Sequence, residues 1–135
     1  MQIRPQYHFR QTDTGIDAWN VQRLIKLSEG FAVQQIDPGS LPELDQNHWY
    51  KHATDVPTPR SLLEHMQLIE ACDVAFPIIL DANGRVMDGM HRVCKALKQG
   101  ISRLPAVQFE VDPHPDFKNC DPRELPYDYA HPYTG

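Results

Sequence analysis

Residues 76–92 read Phe-Pro-Ile-Ile-Leu-Asp-Ala-Asn-Gly-Arg-Val-Met-Asp-Gly-Met-His-Arg, or FPIILDANGRVMDGMHR. The order of residue types in this stretch decides the fold. Phe76–Leu80 is a short apolar run rich in β-branched side chains, which predicts a strand. Asn83-Gly84 is the pair that best tolerates positive φ at both centres of a type I′ turn, so Arg85-Val86-Met87 is expected to return as a second strand. After Gly89 the apolar period changes from two to about 3.6. Met90, Val93, Cys94 and Leu97 then share one helical face, with Arg92, Lys95 and Gln99 off it and Gly100 as the stop.

Working outward, Arg103–Phe109 predicts one more strand. Upstream, a helix starts either at Thr58-Pro59, a cap followed by a first-turn proline, or at the capping box Ser61-x-x-Glu64. Its Leu62, Met66 and Ile69 form the expected buried stripe, with Glu64, His65 and Gln67 facing elsewhere. Residues 41–58 read as loop with one helical turn, Asp37–Ser40 as a turn, and Phe31–Ile36 as a half-buried strand. An earlier helix is expected from an Asp17 cap through Trp19, Leu24 and Leu27 to Gly30. Residues 1–15 are polar and irregular. Beyond Glu110 five prolines break any long element, although Asp121-Pro122-Arg123-Glu124 can cap one short turn. The pattern is that of an α+β protein: one compact domain over residues 1–135, a small mixed sheet with flanking helices, and a proline-rich extension from 111.

The 135 residues carry three cysteines without CxxC spacing, so neither a disulfide framework nor a zinc ribbon is indicated, and a reduced, cytoplasmic setting is expected. No apolar run reaches membrane-spanning length. The net charge of -5 disfavours a nonspecific nucleic-acid binder. Residues 81–104 nevertheless form a basic island, with Arg85, Arg92, Lys95, Lys98 and Arg103 against Asp81 and Asp88. Such an island on an acidic protein suits a small anionic ligand.

That island contains the start of the predicted Met90–Gln99 helix. The first-turn N–H groups of a helix have no intrahelical partner, and the helix dipole adds positive character there. Gly89 removes the side chain that would block an approaching oxyanion. Arg92 can offer a bidentate guanidinium, and His91 a donor or a proton-transfer group. Gly89, Met90, His91 and Arg92 are therefore the candidate phosphate-binding residues.

The segment PIILDANGRVMDGMHRVCKALKQGISRLPAVQF, preceded by the helix SLLEHMQLIEAC, resembles the core of the ParB/sulfiredoxin superfamily over about residues 58–110. The shared pattern is a hydrophobic strand, a hairpin, an Asp-Gly-x-His-Arg box opening a helix, and a following strand. This resemblance implies a small α+β domain whose box binds nucleotide phosphates, ATP or CTP with Mg²⁺, at Gly89, His91 and Arg92. It implies catalytic roles for Asp88 and His91, Asp88 acting as a catalytic or metal-linked carboxylate. The expected activity is a phosphotransferase or nucleotide hydrolase. The alternatives are a non-catalytic nucleotide-binding module and, against the charge, a DNA-associated or nuclease-like protein. Sulfiredoxins place a nucleophilic cysteine where this chain has Met90, and a thioether cannot replace a thiolate. Cys94 belongs to the apolar stripe and is assigned to core packing. A general base outside the box would come from Glu43, Asp45 or Glu64. His48 and His52 lie four apart but lack a third ligand of suitable spacing, so no metal site is assigned. Trp49 and Tyr50 are expected to anchor that loop against the core, and Arg60 to lie on the surface.

Overall fold

A computed structural model describes residues 6–51 and 55–126. The chain opens with β1 (Tyr7–Gln11) and β2 (Ile16–Asn20), an antiparallel hairpin in which His8 faces Trp19 and Phe9 faces Ala18. Two sequence expectations fail here. Tyr7–Gln11 is not irregular, and Asp17–Asn20 is strand rather than the first turn of a helix. Trp19 is buried through tertiary contact, and its indole N–H donates to the Pro113 carbonyl at 2.8 Å. Helix α1 (Val21–Ser28) starts later, capped by Asn20, whose side-chain oxygen accepts from the N–H groups of Gln22 and Arg23. Leu24 is fully buried, whereas Leu27 is 42% exposed.

Only β3 (Gln34–Ile36) of the expected 31–36 strand pairs. Two 3₁₀ turns follow, Pro38–Ser40 and Pro42–Asp45. Helix α2 (Pro59–Ala71) is capped by Thr58, which accepts from the Ser61 N–H at 3.1 Å, so the proline-led start prevails over the capping box. Then come β4 (Ile78–Leu80), β5 (Val86–Asp88), α3 (Met90–Lys98) and β6 (Leu104–Gln108), followed by a 3₁₀ turn at Pro122–Glu124 capped by Asp121.

The main sheet has the order β3-β6-β4-β5, with β4 and β6 parallel and the outer pairs antiparallel. Its two faces carry separate apolar layers. Ile78, Leu80 and Ala106 meet Met90, Val93 and Ala96 of α3, while Ile79, Val107 and Phe109 meet Trp19 and Leu24. Burial on both faces explains why Ile78-Ile79-Leu80 shows no alternation. The molecule is thus α+β with a small mixed sheet, as its sequence pattern implies.

The β4–β5 turn departs from the type I′ expectation. Among the described non-glycine residues only Asn119 has positive φ, so Asn83 lies in the ordinary region while Gly84 sits at φ 80°. The Gly84 N–H donates to the Asp81 carbonyl and the Asp81 N–H to the Arg85 carbonyl, the pattern of a type I turn closed by a glycine bulge. Asp81 dictates this choice. Its buried carboxylate accepts from the N–H groups of Asn83 and Arg85, and from Arg10 of β1.

The two stripe assignments also shift. On α3, Ala96 rather than Leu97 completes the buried face, and Leu97 is 43% exposed. Helix α2 contains no buried residue: Leu62, Leu63 and Met66 are each about half exposed. The side turned towards the body carries Ser61 and His65 together with Ile69, the one member of the expected stripe that stays there. The displacement follows from what holds α2 in place. Lys95 of α3 donates to the carbonyls of Glu70 and Cys72, and Tyr50 hydrogen-bonds Ser61. In urea denaturation Leu104→Ala should cost about 2–5 kcal/mol and Leu62→Ala within about 0.5 kcal/mol. Equal losses would put the α2 leucines in the core.

Candidate functional site

Gly89 joins β5 to α3 at φ 115°, the left-handed region, and caps the helix without a side-chain hydrogen bond. A Cβ at this position would lie 2.5 Å from Ile78 Cγ2 and 3.0 Å from Arg92 Nη2. Backbone angle and crowding therefore both demand glycine. The joint sets Gly89, Met90 and His91, at the start of α3, on the wall of a cavity of about 230 Å³ that Asp88 also borders. β1 supplies the opposite wall through Tyr7 and His8, and the 46–51 loop adds His48 and Lys51.

The candidate residues do not all face this cavity. Arg92 folds back: Nη1 donates to the carbonyls of Phe76 and Pro77 at 3.1 and 3.0 Å, and Nη2 to Asp88 Oδ2 at 2.8 Å. Its guanidinium thus ties the start of β4 to the end of β5, and both terminal nitrogens already have partners. Asp88 reaches the cavity wall with one oxygen engaged by that ion pair. Met90 borders the cavity although it is buried, and its side chain packs in the α3 layer of the core.

His91 lies at the cavity wall within an aromatic cluster that its sequence does not announce. His91 Nε2 and His65 Nδ1 are 2.8 Å apart, their ring planes are 23° apart, and their centroids are separated by 5.1 Å. The two imidazoles therefore meet edge to edge, and both stack on one face of the Trp49 indole, at 4.2 Å for His65 and 4.9 Å for His91. Trp49 anchors its loop as expected. His65 turns towards this cluster, not away from the body as the sequence stripe implied.

One proton bridges the two imidazoles, so the bond needs at least one of them neutral. Burial, followed by the nearby charges of His65, His48 and Arg92, pushes His91 down to about 4. Burial lowers His65 and His48 as well. His8 falls to about 3 through burial and then the Arg10 charge. All four are held neutral at pH 7.

Comparison with family models, curated proteins and solved structures finds no match. Among the described residues no three His, Cys, Asp or Glu side chains converge as a metal-ligand set, and His52 lies outside those residues. Cys94 is half-buried against the α3 layer, and burial raises its thiol further from ionisation. Of the three upstream acids, Asp45 and Glu64 are exposed, whereas Glu43 is buried in the Pro42–Asp45 turn. A polar residue between Leu41 and Leu44 was the only hint of this.

The depressed histidines fix the sign of the acid response. Below their unfolded value of about 6.5 the unfolded chain takes up protons that the folded chain refuses, so stability falls with falling pH. It is fully present above about pH 6.5 and is lost progressively towards 4 for His91 and 3 for His8. Urea midpoints between pH 7.5 and 4.5 should show this fall, with a shallower slope in His91→Gln; an unchanged slope would place the acid sensitivity elsewhere. Gly89→Ala should cost about 2–4 kcal/mol through left-handed strain and overpacking. A wild-type urea midpoint in that variant would contradict the close approach of Ile78.

Proposed function

We propose that this chain is a nucleotide-binding protein of the ParB/sulfiredoxin-like kind, acting as a phosphotransferase or nucleotide hydrolase at the α3 N-terminus. The observation that carries the reading is a cavity bordered by both the start of α3 and Lys51. Unpaired N–H groups, a helix dipole and an ammonium group favour a phosphate there. The element order β4, hairpin, β5, Asp-Gly, α3, β6 supports the same kinship.

The roles differ from those implied by the box alone. The N–H groups of Met90 and His91, with Lys51, are the phosphate contacts in this reading. Arg92 and Asp88 hold the β5–α3 joint that aims them. Asp88 keeps one carboxylate oxygen outside its bond to Arg92, and Asp55 also borders the cavity. One or two carboxylates beside phosphates are the usual protein share of a Mg²⁺ site. Bound with a nucleotide, Mg²⁺ would neutralise phosphate charge. Three free thiols are in keeping with a cytoplasmic setting. No helix among the described residues is long and apolar enough to cross a membrane.

The mutual pairing of Asp88 and Arg92 favours a second reading, in which the pocket binds a nucleotide without turning it over. Thermal unfolding with ATP, CTP or ADP plus Mg²⁺ tests the shared core of both. A ligand at 100 times its dissociation constant adds about 2.7 kcal/mol, so the midpoint should rise by several degrees. Lys51→Ala should weaken the apparent affinity about tenfold, the worth of one charge-assisted contact. No shift with any of the three nucleotides would sink the assignment.

A further inference from the structure

Helix α2 carries an apolar row on its outer side. Leu62, Leu63 and Met66 are each about half exposed, and Pro59 is exposed beside them. At 3.6 residues per turn these four side chains leave the helix within an arc of about 100°. Among the described residues, the ties of α2 to the body run instead through Ser61, His65 and the carbonyls of Glu70 and Cys72. A row this regular on a helix without a single buried residue is a face that awaits a cover.

The charges of α2 say what that cover is. Arg60 stands in the first turn and Glu70 in the last, so each is set against its own end of the helix dipole. Arg60 has no ion-pair partner among the described residues, and the Glu70 carboxylate meets only the exposed Lys98, at 3.5 Å. Helical spacing puts both on the Leu63 side of the row. A second α2 laid antiparallel along the row reverses both conflicts. It brings a carboxylate and a carbonyl-rich helix end to Arg60, and a guanidinium and an N–H-rich end to Glu70. A parallel mate would set like charge on like.

We infer that the outer side of α2 is where two copies of this chain associate, α2 packing antiparallel on α2 about a twofold axis near the helix midpoint. Leu62, Leu63 and Met66 form the seam, and an Arg60–Glu70 pair closes each end. Such a contact is self-complementary, as a twofold interface must be. The 13 residues of α2 span about 20 Å, so the seam lies at the small end of specific interfaces, and association in the micromolar range is expected. The inference does not depend on the nucleotide reading. It bears on the cavity all the same, because α2 holds His65 against His91 at the cavity wall.

Sedimentation equilibrium of the intact chain from about 1 µM to about 1 mM brackets that range. The mean mass should rise with concentration towards twice the 15.5 kDa of one chain. Leu63→Lys and Met66→Lys, at exposed positions, should leave the circular dichroism unchanged and weaken association at least about tenfold. Arg60→Glu and Glu70→Arg should each weaken it about fivefold at low salt. An equimolar mixture of these two charge variants should recover the wild-type mass, since each chain then meets the opposite charge on its mate; an effect confined to one helix could not be restored by mixing. A mass of one chain at every concentration overturns the inference. Association that persists in Leu63→Lys and Met66→Lys, or a mixture no heavier than the single charge variants, overturns it as well.

Discussion

The Asp81 carboxylate is the joint on which the rest of the molecule depends. One oxygen accepts from two N–H groups of its own turn, and the other takes the Arg10 guanidinium at 2.9 Å. Arg10 also reaches Asp112 and lies 4.7 Å over the Trp19 ring. A single buried charge thus sets the β4–β5 turn and fixes the β1–β2 hairpin to the main sheet. Charges sealed from water are tolerated only when so completely paired. Were the hairpin placed elsewhere, the cavity would lose the wall formed by Tyr7 and His8, and α3 would open onto solvent.

Opposite that wall, Arg92 does for β4 and β5 what Arg10 does for the hairpin. Its two terminal nitrogens are shared among two carbonyls and Asp88, next to a glycine pressed against Ile78. An arginine beside a helix N-terminus suggests an anion hook when read alone. Here both terminal nitrogens of the guanidinium are spent on the backbone and carboxylate of the β5–α3 joint. The difference between meeting a ligand and bracing a joint is not visible in a residue name.

Local physics explains which parts of the molecule the sequence revealed. The 76–110 elements were legible because strand length, glycine stops and the change of apolar period are all encoded within a few residues. The β1–β2 hairpin was not, since Tyr7–Gln11 is polar and its partner strand owes its burial to the distant 113–117 segment, with Trp19 bonding Pro113 and Ala18 bridging Phe117. Helix α2 misled for a related reason. Leu62, Met66 and Ile69 make a regular stripe, but of these only Ile69 turns inward, beside Ser61, His65 and the carbonyls at the helix end. At the site, Gly89 and His91 were legible from the box, Trp49 as a loop anchor and Glu43 as one of three candidate acids. The stacking of His65 with His91 on Trp49, and the burial of Glu43, were not, because separate segments bring these residues in and none carries a local periodic signal.

The attachment of α2 has a consequence for how the molecule comes apart. Its ties to α3 and the 46–51 loop include an ammonium on two carbonyls, a shared imidazole proton, a hydroxyl pair and the exposed Lys98–Glu70 contact. None of its residues is sealed in the apolar layers that hold the sheet. Acid therefore acts on α2 directly through His65 and His91, whereas the sheet is held chiefly by burial. Its backbone amides belong to a unit of low opening free energy, exchanging with solvent ahead of those in β4 and β6. The sheet can outlast the helix that completes its aromatic cluster.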